Sequence, residues 1–359
     1  MSDHGQIAVV DISEDKKFST NVAKMLGIQP HKTTVTKFAD GETKIKIEQS
    51  VRGKDVYVFV TYQPDIGEHF YELMNAALAC QSGGKAARLN VVMNYCYGMR
   101  GERVTGPRES AQAVVVARAL YAMGVDQVLT TGLHNEAVPS IFQAVGEKGG
   151  IPVEHLSFEP LAGNYTANTI TQQKIENSTM ASPDVGGTKR VERVRTIVEK
   201  TYNLPIELAI AYKARTGDDK TEVLKVIGDV KDRTVFIYDD VAGTLGTIRS
   251  AVHAIKENGA KEIYIMEIHP VLSKGYEKDL ELVCNDDTVK EIVFGNTIPL
   301  KGLALTHPKV RTIPLEPLVS EAIERMNLDH SMSELHNPQE IRKIYEKWNL
   351  MSNPKYVKF

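Results

Sequence analysis

The sequence predicts an α/β protein made of two tandem doubly wound parallel-sheet domains, and three observations carry that expectation. Short runs rich in β-branched residues alternate with longer stretches of helical apolar spacing along most of the 359 residues. The strand runs are apolar on both faces, the mark of parallel strands covered by helices on both sides. One device also repeats: a helix stops at glycine and a strand begins, at Gly83 and Gly84, at Gly124 and at Gly259. At roughly 100–200 residues per domain, the length suits two domains, each able to bury its own core.

In chain order, strands are expected at 6–12 (QIAVVDI), 55–62 (DVYVFVTY), 88–95 (RLNVVMNY), 127–133 (QVLTTGL) and 179–183 (TMASP). Further strands are expected at 207–213 (ELAIAYK), 234–240 (TVFIYDD), 262–269 (EIYIMEIH) and 291–296 (EIVFGN). Helical spacing marks 70–81, 110–123, 188–202 and 245–258, and a further helix at 317–326 closes the core. GEKGGIPVEH and SFEPLAGN break the pattern near 146–160 and suggest the domain boundary there. The tail from about 337 carries Trp348 and ends in NPKYVKF; it docks or frays, and the residues leave both open.

Composition narrows the function classes. Lys and Arg number 43 against 46 Asp and Glu, a formal net charge of −3, so no basic field invites nucleic acid. The three cysteines, Cys80, Cys96 and Cys284, lie far apart without a CxxC pair, which argues against a disulfide framework or a zinc site. No apolar run reaches the roughly 18 residues of a membrane span. The longest candidate, 113–125, carries Arg118 inside it. The first residues lack the basic start and apolar block of a secretory signal. A soluble cytoplasmic protein is expected, with neither nucleic acid nor membrane as partner.

The strongest local signal is TVFIYDDVAGTLGTIRSAV (234–252). An apolar strand ends in Asp239 and Asp240, and a small-residue turn, Gly243, Thr244, Leu245, Gly246 and Thr247, opens a helix. In open parallel sheets ligands bind at the carboxyl ends of strands. A Gly- and Thr-rich turn at a helix start offers N–H groups, hydroxyls and the positive helix end to a phosphate. Two adjacent acids would repel that phosphate unless they face sugar hydroxyls or a magnesium-bound group. A plain βα turn with a capping Asp does not account for the pair and the turn together.

This segment resembles the phosphate-binding loop of type I phosphoribosyltransferases and PRPP synthetases. Four more segments are similar to the synthetases in particular: FADGE (38–42) followed by VRGKDVYV, YCYGMRGER (95–103), GLH (132–134) and SPDVGGTKR (182–190). Their order and spacing agree over about residues 7–335, with NTIP (296–299) and SEAI (320–323) extending the likeness. The resemblance implies the ribose-phosphate diphosphokinase (PRPP synthetase) family and a type I phosphoribosyltransferase-like fold. It implies an ATP-side domain at 1–155 joined by the 317–335 helix, a ribose-phosphate domain at 156–316, and an extra tail at 337–359. It further implies transfer of the β,γ-diphosphate of ATP to the C1 hydroxyl of ribose 5-phosphate with Mg2+, and a homo-oligomer with the site in the cleft between domains.

The same resemblance assigns roles. Phe38, Asp40, Glu42, Arg100, Glu102 and His134 would bind ATP, with Phe38 stacking on adenine and Arg100 forking onto phosphate oxygens. His134 and Asp184 would serve the metal, and Asp239, Asp240 and residues 243–247 the ribose phosphate. Lys213 and Arg215 begin KARTGDDKTEV, which reads as a mobile catalytic loop supplying cations to the transferred group. Taken singly, each residue has a plainer reading: Phe38 as core or subunit contact, Asp40 and Glu42 as turn acids, His134 as a satisfied strand-end residue. Lys189 and Arg190 read equally as solvated residues at a helix start.

Four positions depart from the family pattern. Gly101 stands where Gln follows the ATP-binding Arg, Glu102 replaces Asp, Gly132 replaces the Asp of Asp-Leu-His, and Gly243 replaces an acid in the phosphate loop. The last change removes bulk and negative charge, which would admit an acceptor with a 5-diphosphate substituent such as ADP-ribose, with residues 160–178 and the tail enclosing it. Ribose 5-phosphate leads and ADP-ribose is the alternative. A catalytically silent regulatory homologue is a further reading. So is a phosphoribosyltransferase, which the FADGE segment opposes.

Overall fold

A computed structural model describes residues 4–146, 149–216, 221–348 and 355–357, with the backbone alone at 213–216 and 221–224. It divides into two units, Met1–Ser157 with Glu316–Leu335, and Phe158–Leu315 with His336–Phe359.

The first unit runs β1 (Ile7–Asp11), α1 (Lys17–Met25), β2 (Thr33–Lys37), β3 (Thr43–Ile47), β4 (Asp55–Phe59), α2 (Ile66–Leu78), β5 (Arg88–Met93), α3 (Gln112–Ala122), β6 (Gln127–Thr131), α4 (Val138–Gln143) and β7 (Val153–Leu156). Its sheet is wholly parallel, in the order β1-β4-β5-β6-β7. Every residue of β4 is buried, as expected of a strand covered on both faces. β2 and β3 form a separate antiparallel hairpin.

Buried polar bonds explain why a distant segment returns here. Arg88 forks onto Asp55 (2.7 and 2.6 Å) and also donates to the Met326 carbonyl at 2.8 Å, while Asn327 donates to Asp55 at 3.0 Å. Burial alone would raise the Asp55 carboxyl, but the Arg88 and Asn327 bonds hold it below the usual carboxylate range.

The second unit runs α5 (Glu159–Gln173), β8 (Ser178–Ser182), α6 (Thr188–Tyr202), β9 (Glu207–Thr216), β10 (Thr221–Ile227), β11 (Thr234–Val241), α7 (Gly246–Glu257), β12 (Glu262–His269), α8 (Tyr276–Cys284), β13 (Val289–Gly295), α9 (Gly302–Thr306), β14 (Val310–Ile313), and, after α10 (Glu316–Asn327) of the first unit, α11 (Pro338–Lys347). Its seven strands lie in the order β10-β9-β8-β11-β12-β13-β14, parallel except for β10. Ile237, Ile263, Ile265 and Phe294 meet Ile248 of α7 and Leu280 of α8 in one core.

The stretch near 146–160, where the sequence pattern breaks, contains β7 and the start of α5, and the two units divide within it at Ser157 and Phe158. Two expectations are corrected. α5 is packed along its first turns, with Leu161, Ala162, Tyr165 and Ala167 all buried, so 160–173 is a core helix of this unit rather than an insertion wrapped around a ligand. Its sparse apolar periodicity hid it, because small residues, not a stripe of large ones, allow its close packing on α6: a side chain at Gly163 would meet Ile197 at 2.5 Å. The expected loop after ELAIAY is instead a continuation of β9 paired antiparallel with β10, placing Lys213 opposite Leu224 and Arg215 opposite Glu222. The GDDK turn, 217–220, lies outside the described residues.

The tail docks over its described length. Asn337 caps α11 by accepting from the Gln339 and Glu340 N–H groups, and Asn164 of α5 donates to the Pro338 carbonyl at 3.0 Å. Thr312 of β14 donates to the Lys355 carbonyl at 2.8 Å and accepts from the Val357 N–H at 3.0 Å, which covers that sheet edge. Among the described residues, no helix is long and apolar enough to cross a membrane.

Candidate active site

In the second unit, the strand order reverses between the parallel neighbours β8 and β11: β8 is followed by β9 on one side, β11 by β12 on the other. Such a switch point opens a crevice at the carboxyl ends of the strands. Asp239 and Asp240 lie at the carboxyl end of β11, just before its last residue, Val241. Arg190 of α6 bridges them, Nη1 to Asp239 Oδ1 at 3.2 Å and Nη2 to Asp240 Oδ2 at 3.1 Å. Arg190 is therefore not a solvated residue: a buried Asp240 and a half-buried Asp239 side by side need a cation held between them. Burial, then Asp240, push the Asp239 carboxyl up to about 7, against the pull of Arg190. Asp184 adds to that rise; its Oδ1 accepts from the Gly187 N–H at 2.8 Å while the residue stays exposed ahead of α6.

Beyond the pair, Thr244 and Thr247 are exposed, and Leu245 takes a left-handed φ of 66° to open α7. A leucine in that region is strained, of the kind folds hold at ligand loops. The loop backbone is pinned from below, where the Leu272 and Ser273 N–H groups donate to the carbonyls of Ala242 (2.9 Å) and Gly243 (3.1 Å). Nothing lies within 4 Å of where a side chain at Gly243 would start, and its φ is not left-handed. Neither backbone nor packing requires glycine there.

Sequence reasoning missed Glu267. It is the register partner of Asp239, fully buried, with no hydrogen-bond partner on either carboxylate oxygen. Burial, then Asp239 and Asp240, hold its carboxyl well above the usual range. An acid whose folded-state pKa is raised stabilises the fold only in its protonated form, and that contribution fades as pH climbs above the unfolded carboxylate value of about 4.3. Glu267→Met should therefore stabilise the protein by about 1–3 kcal/mol at pH 8 and by less at pH 5. Thermal melts across that range check both the sign and the trend. The only sequence signal was an acid in an otherwise apolar strand.

In the first unit, the loops after β5 and β6 gather Arg100, Glu102 and His134 at the carboxyl edge of the sheet. Arg100 and His134 are exposed, and the Asn135 amide donates to Glu102 at 3.0 Å, joining the two loops. That bond gives Glu102 a structural partner. Gly132 has a φ of 59°, which accounts for a glycine at this departure. Phe38, Asp40 and Glu42 form the exposed tip of the β2–β3 hairpin, closed by the Phe38 N–H on the Glu42 carbonyl at 2.8 Å. Among the described residues they make no hydrogen bond to the loops after β5 and β6. The side chains of Lys213 and Arg215 lie outside the described set.

Comparison with known proteins decides the family. The family model described as the N-terminal domain of ribose phosphate pyrophosphokinase matches residues 7–124, and that of the phosphoribosyl synthetase-associated domain matches 187–337. A ribose-phosphate pyrophosphokinase of Gloeobacter violaceus is 33% identical over 90% of this chain and 91% of its own length. The chain belongs to the ribose-phosphate pyrophosphokinase family. It is an enzyme of that type. The Bacillus subtilis ribose-phosphate pyrophosphokinase is 31% identical, covering 92% of this chain and 96% of its own. For the fold, the crystal structure of phosphoribosylpyrophosphate synthetase from Mycobacterium smegmatis superposes with a TM-score of 0.78 at 24% identity, over 90% of this chain and 99% of that one. The two-domain phosphoribosyltransferase-type architecture expected from sequence is thus the family's own.

Proposed function

We propose that this pyrophosphokinase family member is a magnesium-dependent diphosphokinase acting on ATP and a 5-phosphorylated ribose, with ribose 5-phosphate the leading acceptor and PRPP and AMP the products. The observation that carries this reading is the Asp239–Asp240 pair, held by Arg190 at the switch point and followed by the exposed Thr loop that opens α7. Carboxylates so fixed accept from ribose hydroxyls, while the Gly243, Thr244, Leu245, Gly246 and Thr247 turn receives the 5-phosphate.

The C1 oxygen bonds to the β-phosphorus as the bond from that phosphorus to the α,β-bridging oxygen breaks; AMP leaves with that oxygen and the hydroxyl proton passes to water. Arg100 grips phosphate oxygens in a fork, Phe38 stacks on the base, and Asp40, Glu42, Glu102 and His134 position the nucleotide. Lys213 and Arg215 neutralise charge developing on the transferred group. Among the described residues no three His, Cys, Asp or Glu side chains gather as a closed metal cage. The exposed Asp184 carboxylate of the second unit suits magnesium, which binds through one or two carboxylates plus substrate phosphates and water, and the exposed His134 of the first unit would hold a magnesium-linked phosphate oxygen of the nucleotide. When bound, it offsets phosphate charge. The exposed hairpin tip, with Phe38 49% accessible, suits a homo-oligomer in which one copy serves a neighbour's ATP.

AMP release from ATP and magnesium, with ribose 5-phosphate and ADP-ribose in parallel, tests the reading. AMP with ribose 5-phosphate supports it, and silence with both from folded protein overturns it in favour of a regulatory homologue. Gly243 favours the ADP-ribose alternative, because the space beside it is open without structural need. Gly243→Asp should abolish about tenfold or more of any ADP-ribose activity, by about 1.4 kcal/mol of repulsion and bulk, while sparing ribose 5-phosphate. Undiminished ADP-ribose turnover in that variant removes the steric argument.

A further inference from the structure

Gly101 follows Arg100, does not have a left-handed φ, and yet leaves a side chain only tight room unless its neighbour moves. A Cβ built there would lie 3.0 Å from Cβ and Cγ and 3.1 Å from Cδ of Gln112, the first residue of α3. The obstruction is one side chain rather than backbone: the Gln112 Cβ is fixed by α3, while its Cγ and Cδ can turn aside.

The surroundings fix where that side chain runs. The turn before it packs hard on α3: a Cβ at Gly98 would meet the Gln112 carbonyl carbon and oxygen at 2.9 and 3.0 Å. The Gly101 N–H donates to the Gly98 carbonyl at 2.9 Å, and the Gly101 carbonyl accepts from the Ala113 N–H at 3.3 Å. Residue 101 is thereby clamped against the start of α3, and Gln112 lies across it. Gln112 is exposed, so its carboxamide, with two donors and an acceptor, remains available beside the exposed Arg100.

We propose that Gln112 occupies the place of a side chain at position 101 and presents its carboxamide to the nucleotide beside Arg100, as a positioning residue contributed by α3. The inference rests on the reading that ATP lies on the first unit. Positions 101 and 112 share one side-chain volume, so the carboxamide belongs to one or the other. The group recognised is a polar atom of the adenine nucleotide, and the contact matters to nucleotide affinity rather than to the acceptor.

An exchange of the two residues tests this, with Kd for ATP measured by calorimetry, KM for ATP and acceptor from AMP release, and melts as a fold check. Gln112→Ala should raise Kd and KM for ATP about tenfold, with kcat, acceptor KM and Tm little changed, as for one lost hydrogen bond to a charged ligand. Gln112→Glu keeps the packing but loses the NH2 donor, and should weaken ATP at least as much. Gly101→Gln alone crowds Gln112 and should weaken ATP. The double variant Gly101→Gln with Gln112→Gly, which also removes the Gln112 Cβ, should return to within about threefold of the parent, since the carboxamide is restored from the other side. Unchanged ATP affinity in both Gln112 variants overturns the proposal, as does a double variant that merely sums the single losses. A parent enzyme that binds no ATP would instead overturn the functional reading itself, which keeps the two failures apart.

Discussion

Arg190→Met should cost about 3 kcal/mol of stability, because it leaves the buried Asp240 and the half-buried Asp239 without their cation. At about 2–4 °C per kcal/mol for a unit of this size, the melting temperature should fall on the order of 10 °C. The deficit depends on pH with a definite sign. The Asp239 carboxyl titrates near 7 in the native protein, raised by burial and by Asp240, so below that pH it sheds its charge and needs Arg190 less. The loss should therefore be greatest at pH 8 and shrink toward pH 5. Arg190→Lys should recover only part of the stability, since an ammonium cannot fork across two carboxylates. Melts at the two pH values check this, and a deficit independent of pH would show that the charge pair is not the cause. Acceptor KM should rise in Arg190→Lys as the carboxylates lose their fixed geometry.

Lys213→Ala and Arg215→Ala should each lower kcat by about 10²–10³, with smaller effects on KM for ATP and with the melting temperature preserved. Both residues sit on β9 where it pairs with β10, at register positions opposite Leu224 and Glu222. A strand fixes the spacing of the two cations better than a free loop: residues two apart lie on the same face of a strand. Arg215→Lys should retain more activity than Arg215→Ala, a graded response that loss of fold would not give. A fall in kcat of less than threefold in both alanine variants would remove these residues from the chemistry.

Much of the architecture was legible because parallel strands covered on both faces leave unbroken apolar runs. The 262–269 strand and the 188–202 helix were read to the residue. α5 was not, because its packing uses glycine and alanine where a large-residue stripe would have announced it. The continuation of β9 and β10 was masked by the charged run between them, which says nothing about the pairing of the strands on either side. At the candidate site, Asp239 and Asp240 were visible as two acids closing an apolar strand, but Arg190 looked like any other cation at a helix start. Glu267 looked like one acid in a strand until its register with Asp239 placed it in the core.

The sequence by itself determined most strands of the two parallel sheets, the family and the residues expected at the phosphate loop, since these depend on local periodicity and on ordered motifs. Only the tertiary structure decided which charges meet and what favours glycine at each departure. Gly132 follows from its backbone, Gly101 from a side chain of α3, and Gly243 from neither. The reason is physical: charge pairing and excluded volume act between segments distant in the chain, and no local pattern records which neighbour a residue will have once the strands are assembled.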